Sequence, residues 1–172
     1  MPLVLPDTRY RGSFVEAVRE FSATDKPISW FARALQADVL AQPANFEAYV
    51  NELLADRFEE TPRPADFVPC TTLWYVDGDD FIGRLAIRHR LTPDLTEVGG
   101  HIGYDVRPSR RRQGNASRML AEALPLAAGL GIDPALLTCD DTNVGSWKVI
   151  EKNGGVLEDQ RGFKLRFWVP TH

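Results

Sequence analysis

A strand-like run that ends in a basic turn and a helix constrains the fold of this chain more than any other feature. The run extends from Val98 to Val106, and Arg107-Pro108-Ser109 breaks it. The residues that follow place apolar side chains at helical spacing, which predicts a helix packed on a sheet, with Pro125 kinking its last turn. The apolar positions are Ala116, Met119, Leu120, Ala123, Leu124 and Ala127. This unit favours a fold class that combines helices with a sheet.

The periodicity of the other segments changes at Cys70. Before it, Ser13-Phe-Val-Glu16 has the form of a capping box, and Phe46 to Leu54 has the spacing of an amphipathic helix. After it, strand-like runs at Thr72 to Val76 and Phe81 to Arg88 flank a turn sequence and predict a hairpin. The remaining predicted elements are a strand at Ala135 to Cys139, a helix from about Asn143 to Asn153 and a strand at Phe163 to Val169.

The composition excludes several classes of protein. The 24 acidic and 20 basic residues give a net charge of −4 without a long basic run, so we expect no nucleic-acid binding. No apolar stretch is long enough to span a bilayer, and the first residues lack a basic region followed by a long apolar core, so we expect no signal peptide. Cys70 and Cys139 lack metal-ligand spacing, so we expect free thiols in the cytoplasm and no metal site. The acidic balance gives a slight preference for a cationic substrate.

The turn Arg111-Arg112-Gln113-Gly114-Asn115-Ala116 opens the predicted helix. The first amides of a helix have no partner inside the helix and carry partial positive charge, so they attract an anion. Gly114 and Ala116 leave room for a phosphate, while Arg111 and Arg112 add charge. The alternative interpretation is a helix N-terminus whose arginines lie in solvent. Walker-type and dinucleotide-binding turns are excluded, because neither GK followed by S or T nor G-x-G-x-x-G is present.

Two motifs in the right order resemble the GNAT (Gcn5-related N-acetyltransferase) superfamily. Arg111-x-x-Gly114-x-Ala116 matches the family signature R/Q-x-x-G-x-G/A. The stretch from Asn143 to Gly155 is similar to the family pattern N-x-x-A/S-x-x-x-Y/I-E-x-x-G. The stretch from Gly99 to Ser109 resembles a bacterial subgroup of the superfamily. The resemblance covers Thr71 to Val169, and the earlier residues are covered only by their number of helices.

The resemblance implies a fold of class α/β (α+β), with a mixed, mostly antiparallel twisted sheet flanked by helices. The whole chain, residues 1–172, would be one domain, in which residues 1–69 form helices on the acceptor side. Residues 70–169 would form the sheet and helices that bind coenzyme A (CoA).

The family's CoA contacts transfer to matching positions of this chain. Backbone amides from Arg111 to Ala116 would bind the pyrophosphate, and Val106 would bind pantetheine through its main chain. The pantetheine arm would lie between that strand and Ala135 to Cys139. Asn143 and Ser146 would lie near the thioester, although Asn143 is also a good helix cap without any ligand. The implied contact residues are Val106, Arg111, Arg112, Gln113, Gly114, Asn115, Ala116, Asn143 and Ser146.

The resemblance also implies direct attack of an amine on the thioester. A base or a water relay must first remove a proton from the ammonium, and a backbone amide near Val106 would stabilise the oxyanion. His101 is the first candidate for the base, because its ordinary pKa suits the task and relatives often carry a Glu nearby. Glu97 is the second candidate and His89 the third.

The general acid does not transfer from the family. Many relatives use a Tyr to protonate the departing CoA thiolate, and this chain has Ile150 at that position. Ser146, Tyr104 or a water molecule would have to take over, or the thiolate leaves unassisted. A covalent step through Cys139 is not favoured, because a cysteine buried in a strand without a His partner is usually inert.

The expected function is transfer of an acetyl group from acetyl-CoA to a primary amine of a small molecule or peptide in a ternary complex. The missing Tyr keeps open a second class, a non-catalytic acyl-CoA-binding sensor or interaction module. A third class is a nucleotide-binding protein of unrelated fold. A homodimer is compatible with the resemblance. Four aromatic residues either wall the acceptor pocket or belong to the core: they are Trp30, Phe31, Phe46 and Tyr49.

Overall fold

Helices dominate the first 55 residues and cover one face of a sheet. The computed structural model describes all 172 residues. A two-residue strand, β1 (Leu3–Val4), precedes the helices and pairs with the second strand of the sheet. The helices are α1 (Arg11–Thr24), α2 (Trp30–Arg33), α3 (Ala37–Leu40) and α4 (Pro43–Ala55). The predicted amphipathic helix at Phe46 to Leu54 is confirmed as α4, because its apolar face packs into the core.

The predicted capping box at Ser13 is wrong. Helix α1 begins at Arg11, so Ser13 lies inside its first turn. The Ser13 hydroxyl instead donates to Asp80 (2.8 Å) and accepts from the amide of Phe81 (2.8 Å). Ser13 therefore forms a tertiary contact that connects α1 to the sheet, and it does not cap the helix.

The first sheet has the strand order β1-β2-β3-β4, and every pair in it is antiparallel. The predicted hairpin is confirmed as β2 (Cys70–Asp77) and β3 (Asp80–Arg88). The strand predicted from Val98 begins only at Ile102 and forms β4 (Ile102–Val106). A short helix, α5 (Pro93–Glu97), occupies the preceding turn, so the first part of the predicted strand is wrong.

The second sheet has the order β5-β7-β6 and is also antiparallel. The predicted strands at Ala135 to Cys139 and Phe163 to Val169 and the two predicted helices are confirmed, although the last strand begins at Lys164. One strand, β6, was not predicted, because it is an almost wholly exposed edge strand without apolar alternation. The elements are α6 (Asn115–Gly129), β5 (Ala135–Asp140), α7 (Val144–Lys152), β6 (Val156–Arg161) and β7 (Lys164–Val169). The expected class, a single α/β domain with largely antiparallel sheets flanked by helices, is confirmed.

Two apolar cores lie on opposite faces of the first sheet. One packs Leu85 and Ile102 of that sheet against α6, α7 and the second sheet. The other packs Trp74 and Phe81 against α1 and α4, with the Phe14 and Trp74 rings stacked at 4.8 Å between centroids. Strands β2 and β3 are therefore buried on both faces. Because β4 pairs with β3, it lies between the helical layer and the second sheet.

The two sheets are joined by backbone hydrogen bonding at one point, where β4 begins. The amide of His101 donates to the carbonyl of Leu136 (2.7 Å), and the amide of Leu136 donates to the His101 ring (2.9 Å). Gly100 permits this approach, since a Cβ there would lie 2.3 Å from the Leu136 carbonyl oxygen. Beyond this point no ladder joins β4 to β5. The structure thus leaves a gap between the two strands from Ile102 onward.

Candidate functional site

The turn before α6 presents a row of unused backbone donors. Gly114 precedes the helix in the left-handed region (φ 78°), and Arg112 is the one non-glycine residue with positive φ (60°). The amides of residues 112 to 117 have no hydrogen-bond acceptor within the protein. Six successive free N–H groups at the start of a 15-residue helix form an anion-binding cradle, because the helix dipole adds partial positive charge there.

Three arginines of this turn are occupied by carboxylates of other elements. Arg111 bonds both oxygens of Asp25 (2.7 and 2.9 Å) and the carbonyl of Val106 (2.9 Å). Arg110 pairs with Asp80, and Arg107, which is 8% exposed, pairs with Glu20 (2.7 Å). The expectation that the Arg111 guanidinium adds charge for a phosphate is therefore corrected, because Asp25 neutralises it. Arg111 still connects the turn to the end of β4 through its bond to the Val106 carbonyl, so it helps to shape the loop.

Arg118 supplies positive charge that sequence reasoning missed. It lies one helical turn after Gly114, and its guanidinium bonds the carbonyl of Gln113 and the side chain of Asn115, both at 2.9 Å. Both partners are neutral, so the charge stays available to an anion. The Asn115 side chain is buried and also donates to the carbonyl of Arg110 (2.9 Å), so it shapes the turn. Arg112 has no side-chain partner and is the other free cation here.

The open edge of β4 faces the gap between the sheets. The backbone amide of Arg107 donates to the carbonyl of Ile82 in β3 (2.8 Å). The carbonyl of His101 accepts from the backbone amide of Arg88 in β3 (2.7 Å). Since peptide groups alternate along a strand, those of Ile102, Tyr104 and Val106 point the other way, toward β5. The carbonyl of Val106 is taken by Arg111, which leaves its amide facing the gap.

Tyr104 and Ser146 meet across that gap. The Tyr104 hydroxyl lies 2.8 Å from the Ser146 hydroxyl, at the start of α7. Asn143 caps this helix, accepting from the amide of Ser146 (3.1 Å), so the capping interpretation is confirmed. Burial raises the pKa of Tyr104 above its ordinary value, so the phenol keeps its proton. Ile150 is buried in the core and has no contact role in a proton transfer.

The expected bases lie away from this meeting point. The His101 ring is 9% exposed and accepts the amide of Leu136, which makes it a junction between the sheets. Burial, and then the Arg88 guanidinium, lowers the pKa of His101. Glu97 is exposed and paired with Arg161. His89 contacts the Thr71 hydroxyl at 2.8 Å, at the far end of β3.

Cys139 lies on β5 beside the gap and is a protonated thiol. Burial, followed by the neighbouring Asp140, raises the pKa of Cys139 to about 11. Its fractional exposure is 6%. A thiol with this pKa is a poor nucleophile at neutral pH, which agrees with the expectation that no covalent enzyme intermediate forms.

A cavity of about 340 Å³ opens on the opposite face of the first sheet, between α2 and α4. Trp30, Tyr49 and Leu53 line its walls, and Arg84 of β3 lines its floor. Of the four aromatic residues considered from the sequence, Trp30, Phe31 and Tyr49 line this cavity, while Phe46 is fully buried in the core. Phe46 therefore belongs to the core, and whether the other three wall an acceptor pocket stays a prediction.

Asp105 connects the cavity floor to β4. Its carboxylate pairs with Arg84 (3.2 Å), directly across the β3–β4 ladder. Burial raises the pKa of Asp105 above its ordinary value, although Arg84 opposes the shift. Successive residues of a strand point to opposite faces, so Asp105 faces the cavity side and Tyr104 the gap side. Alternation alone placed Asp105 on that face, but the sequence did not show which groups would bury it.

A comparison with protein families decides the assignment. A family model described as an acetyltransferase (GNAT) domain matches residues 17–156. The chain belongs to the GNAT acetyltransferase family. A search of curated proteins found no match.

Solved GNAT structures share this fold over nearly the whole chain. RimJ from Mycobacterium smegmatis, in complex with a CoA disulfide, gives a TM-score of 0.67 at 16% identity, covering 97% of this chain and 79% of RimJ. RimL, a ribosomal L7/L12 α-N-protein acetyltransferase in complex with CoA, gives a TM-score of 0.62 at 17% identity, covering 96% of this chain and 90% of RimL. A spermidine N-acetyltransferase chimera from Vibrio cholerae and hSSAT gives a TM-score of 0.62 at 13% identity, covering 99% of this chain and 97% of the chimera. The likeness confirms the GNAT fold.

GNAT membership confirms the expected enzyme class, an N-acetyltransferase with acetyl-CoA as co-substrate. The structure contains no cluster of three or more His, Cys, Asp or Glu side chains that would hold a metal ion. None of its helices is both long and apolar enough to cross a membrane.

Proposed function

We propose that this enzyme transfers an acetyl group from acetyl-CoA to a primary amine by direct attack within a ternary complex. The observation that carries the proposal is the continuous path from the six free amides of the turn, along the open edge of β4, to the Tyr104–Ser146 pair. CoA has the same three parts in the same order: a pyrophosphate, a pantetheine arm with amides, and a thioester. Each part would meet a group of matching chemistry.

The pyrophosphate would bind at residues 112 to 117, with Arg112 and Arg118 supplying charge. The pantetheine amides would pair with the peptide groups of Tyr104 and Val106, as an added strand would. Asn143 would act from the cap of α7, near the end of the arm. This retains the CoA contacts expected from the sequence except that of Arg111, whose amide donates to the carbonyl of Pro108 (3.3 Å) and whose guanidinium pairs with Asp25.

Tyr104 and Ser146 are proposed as the proton donor to the CoA thiolate. The carbon–sulfur bond breaks as the tetrahedral intermediate collapses, and the sulfur gains an electron pair and needs a proton. A hydroxyl pair at 2.8 Å can pass a proton from Tyr104 through Ser146 to the sulfur. Water then returns a proton to Tyr104, because burial raises the pKa of Tyr104 and favours the neutral phenol. The pair replaces the Tyr that Ile150 cannot supply, and it removes the reason for favouring a non-catalytic module.

Asp105 is proposed as the base, in place of His101 and Glu97. It lies beside Arg84, the residue of β3 that lines the cavity where an acceptor would bind, and its raised pKa makes it a stronger base than an exposed Asp. The ammonium first loses one proton to water, and the neutral amine attacks the carbonyl carbon. The nitrogen becomes far more acidic once that bond has formed, so the Asp105 carboxylate can then take the second proton. Donor and acceptor would meet at β4, with the acid on one face of the strand and the base on the other.

Release of free thiol on mixing the enzyme with acetyl-CoA and an amine panel tests the proposal. We expect release that depends on both substrates, with initial-rate lines that intersect, as a ternary complex requires. Parallel lines would indicate a covalent intermediate, and CoA binding without release on any amine would indicate the sensor module. Retention of CoA but not of ATP in a thermal-shift assay separates both from a nucleotide-binding protein.

The cellular setting follows the same proposal. Both cysteines are free thiols in the structure, which suits the reducing cytoplasm where acetyl-CoA is available. The acceptor is proposed to be a small molecule or a peptide terminus rather than a nucleic acid or a lipid. A homodimer stays a prediction, which light scattering of the purified protein tests.

A further inference from the structure

The acceptor cavity carries an excess of positive charge, although the chain as a whole is acidic. Arg84 lines its floor and Arg33 its rim, and no carboxylate is among the residues that line it. The partly buried carboxylate of Asp105 pairs with Arg84 (3.2 Å) outside this lining. The slight preference for a cationic substrate that the net charge of −4 suggested does not apply locally, because the acidic residues lie elsewhere.

Arg84 has most of its hydrogen-bonding capacity free. A guanidinium offers five N–H donors, and the Arg84 side chain uses one of them, toward Asp105 at 3.2 Å. It is held in place by the Phe31 ring, with 4.7 Å between its central carbon and the ring centroid. The side chain is 11% exposed, and none of its nitrogen atoms is sealed from solvent without a partner, so the free donors are open to a ligand in the cavity. A fixed, underused guanidinium on a cavity floor suits a carboxylate, which it can bind through two parallel hydrogen bonds.

Arg84 and Asp105 together complement a zwitterion. In a free α-amino acid, the amine and the carboxylate are attached to the same carbon. The carboxylate can therefore contact a guanidinium while the amine contacts an adjacent side-chain carboxylate. The ammonium would approach Asp105, which is the proposed base, while the carboxylate bonds Arg84. Trp30, Tyr49 and Leu53 leave an apolar region for the side chain.

We propose that the acceptor is an amine that bears its own carboxylate, as a free apolar or aromatic α-amino acid does, with Arg84 and Arg33 binding that carboxylate. The proposal rests on the acetyltransferase function and specifies its substrate class. A cavity of about 340 Å³ has the size of a small-molecule site. A polyamine does not fit the same groups, because it would bring positive charge to two guanidinium groups and no anion.

The sharpest test compares an amino acid with its own amide. Phenylalanine and phenylalaninamide share the amine and the side chain, and the amide lacks only the carboxylate. The amide has the more reactive amine at neutral pH, so reactivity alone would favour it. We expect kcat/KM to be at least tenfold higher for phenylalanine, with leucine similar and spermidine poor. A peptide with an acidic second residue tests whether a carboxylate farther from the amine is accepted.

Variants assign the effect to the cavity. Arg33→Gln does not touch Asp105 and should raise the KM for phenylalanine at least tenfold, with little change for the amide. Arg90→Gln is the matched control, since Arg90 is exposed, pairs with Glu59 and lies outside the cavity. Arg84→Gln should abolish the preference for the carboxylate altogether. Equal use of acid and amide, or a preference for spermidine, would overturn the substrate class while leaving the acetyltransferase function intact.

A binding measurement separates this inference from the function on which it rests. Titration of phenylalanine into the CoA-loaded enzyme needs no turnover, and we expect saturable binding that Arg84→Gln removes. Binding without thiol release from any amine would support the carboxylate site and contradict the acetyltransferase proposal. Absence of binding, with turnover of other amines, would overturn the inference alone.

Discussion

Gly114 is the residue on which binding of the donor depends most directly. Its φ of 78° belongs to the left-handed region, and a Cβ there would lie 3.4 Å from the Arg118 guanidinium. Asp and Asn both tolerate that conformation, so either replacement should leave the fold intact. Gly114→Asp should bring a carboxylate against Arg118 and the incoming pyrophosphate, whereas Gly114→Asn adds the same bulk without charge. We expect CoA affinity, measured by calorimetry, to fall at least tenfold further in the Asp variant than in the Asn variant.

Tyr104 and Ser146 should behave as one unit in catalysis. Loss of a proton donor lowers a rate by about 10²- to 10⁴-fold, so Tyr104→Phe and Ser146→Ala should each reduce kcat by roughly 100-fold. The KM for acetyl-CoA should change much less, because neither hydroxyl is needed to hold the pyrophosphate. The double variant should lose little more than either single variant, since both remove the same proton path. Additive losses would show that the two hydroxyls act separately, and unchanged kcat values would show that the thiolate leaves unassisted.

The role of a residue was predictable from the sequence only where the spacing of a local motif determines the position of that residue in the structure. The positions of Gly114 and Asn143 follow from motifs that are local in the chain. The neutralisation of Arg111 was not predictable, because its partner Asp25 lies 86 residues away. The same holds for Asp105, whose pKa depends on burial by a helical layer that the motifs do not cover. Arg118 was within reach, since it lies four positions after Gly114 and therefore on the same helical face.

At the scale of elements, the junction of β4 with β5 depends on a neutral His101. Its ring nitrogen must be unprotonated to accept the Leu136 amide, and burial lowers the pKa of His101 in the folded chain. The unfolded chain, with a pKa of about 6.5, therefore takes up the proton first as the pH falls. The stability contributed by His101 is complete above about pH 6.5 and is lost as the pH falls through the folded-state pKa.

Urea unfolding of the wild type and His101→Gln at pH 8, 6.5 and 5 measures this effect. Gln does not titrate, so the advantage of the wild type should shrink toward pH 5, by about 1.4 kcal/mol for each unit by which the pKa is lowered. A difference that stays constant with pH would mean that the His101 ring does not titrate differently in the folded chain. His89→Gln is the comparison variant, because burial also lowers the pKa of His89 but that residue does not join the two sheets.

Elements with a strong period were predictable, and elements without one were not. Strands β2, β3, β5 and β7 bury apolar side chains and show it in their sequence. Strand β6 was missed because an exposed edge strand needs no apolar alternation, and β1 because two residues carry no period. The start of β4 was misplaced because Gly99 and Gly100 break the ladder to let the second sheet approach, which is a tertiary requirement.

At the scale of the whole molecule, β4 and β5 are hydrogen-bonded to each other only near His101 and Leu136, and CoA would bind along the rest of the gap. The order of elements in the sequence was enough for the fold class but not for this gap, since strand patterns do not show which strands fail to pair. A ligand held by β4, α6 and α7 together binds only the folded chain, so it should stabilise the whole domain. At 100 times Kd, the stabilisation is about 2.7 kcal/mol. For a chain of this size that is a rise in Tm of roughly 5 to 11 °C.

Thermal unfolding with and without CoA, combined with hydrogen exchange, distinguishes binding along the gap from binding at the turn alone. Gly114→Asp should show almost no rise in Tm, because the anion cradle is lost, while Gly114→Asn should keep most of it. Exchange should slow at the amides of the turn and also at Tyr104 and Val106, whose peptide groups face the gap. Protection confined to residues 112 to 117 would place only the pyrophosphate, and the thioester would then lie away from Tyr104 and Ser146. Protection that reaches β4 would place the reacting carbon beside both proposed proton-transfer groups, because Tyr104 and Asp105 are adjacent residues on opposite faces of that strand.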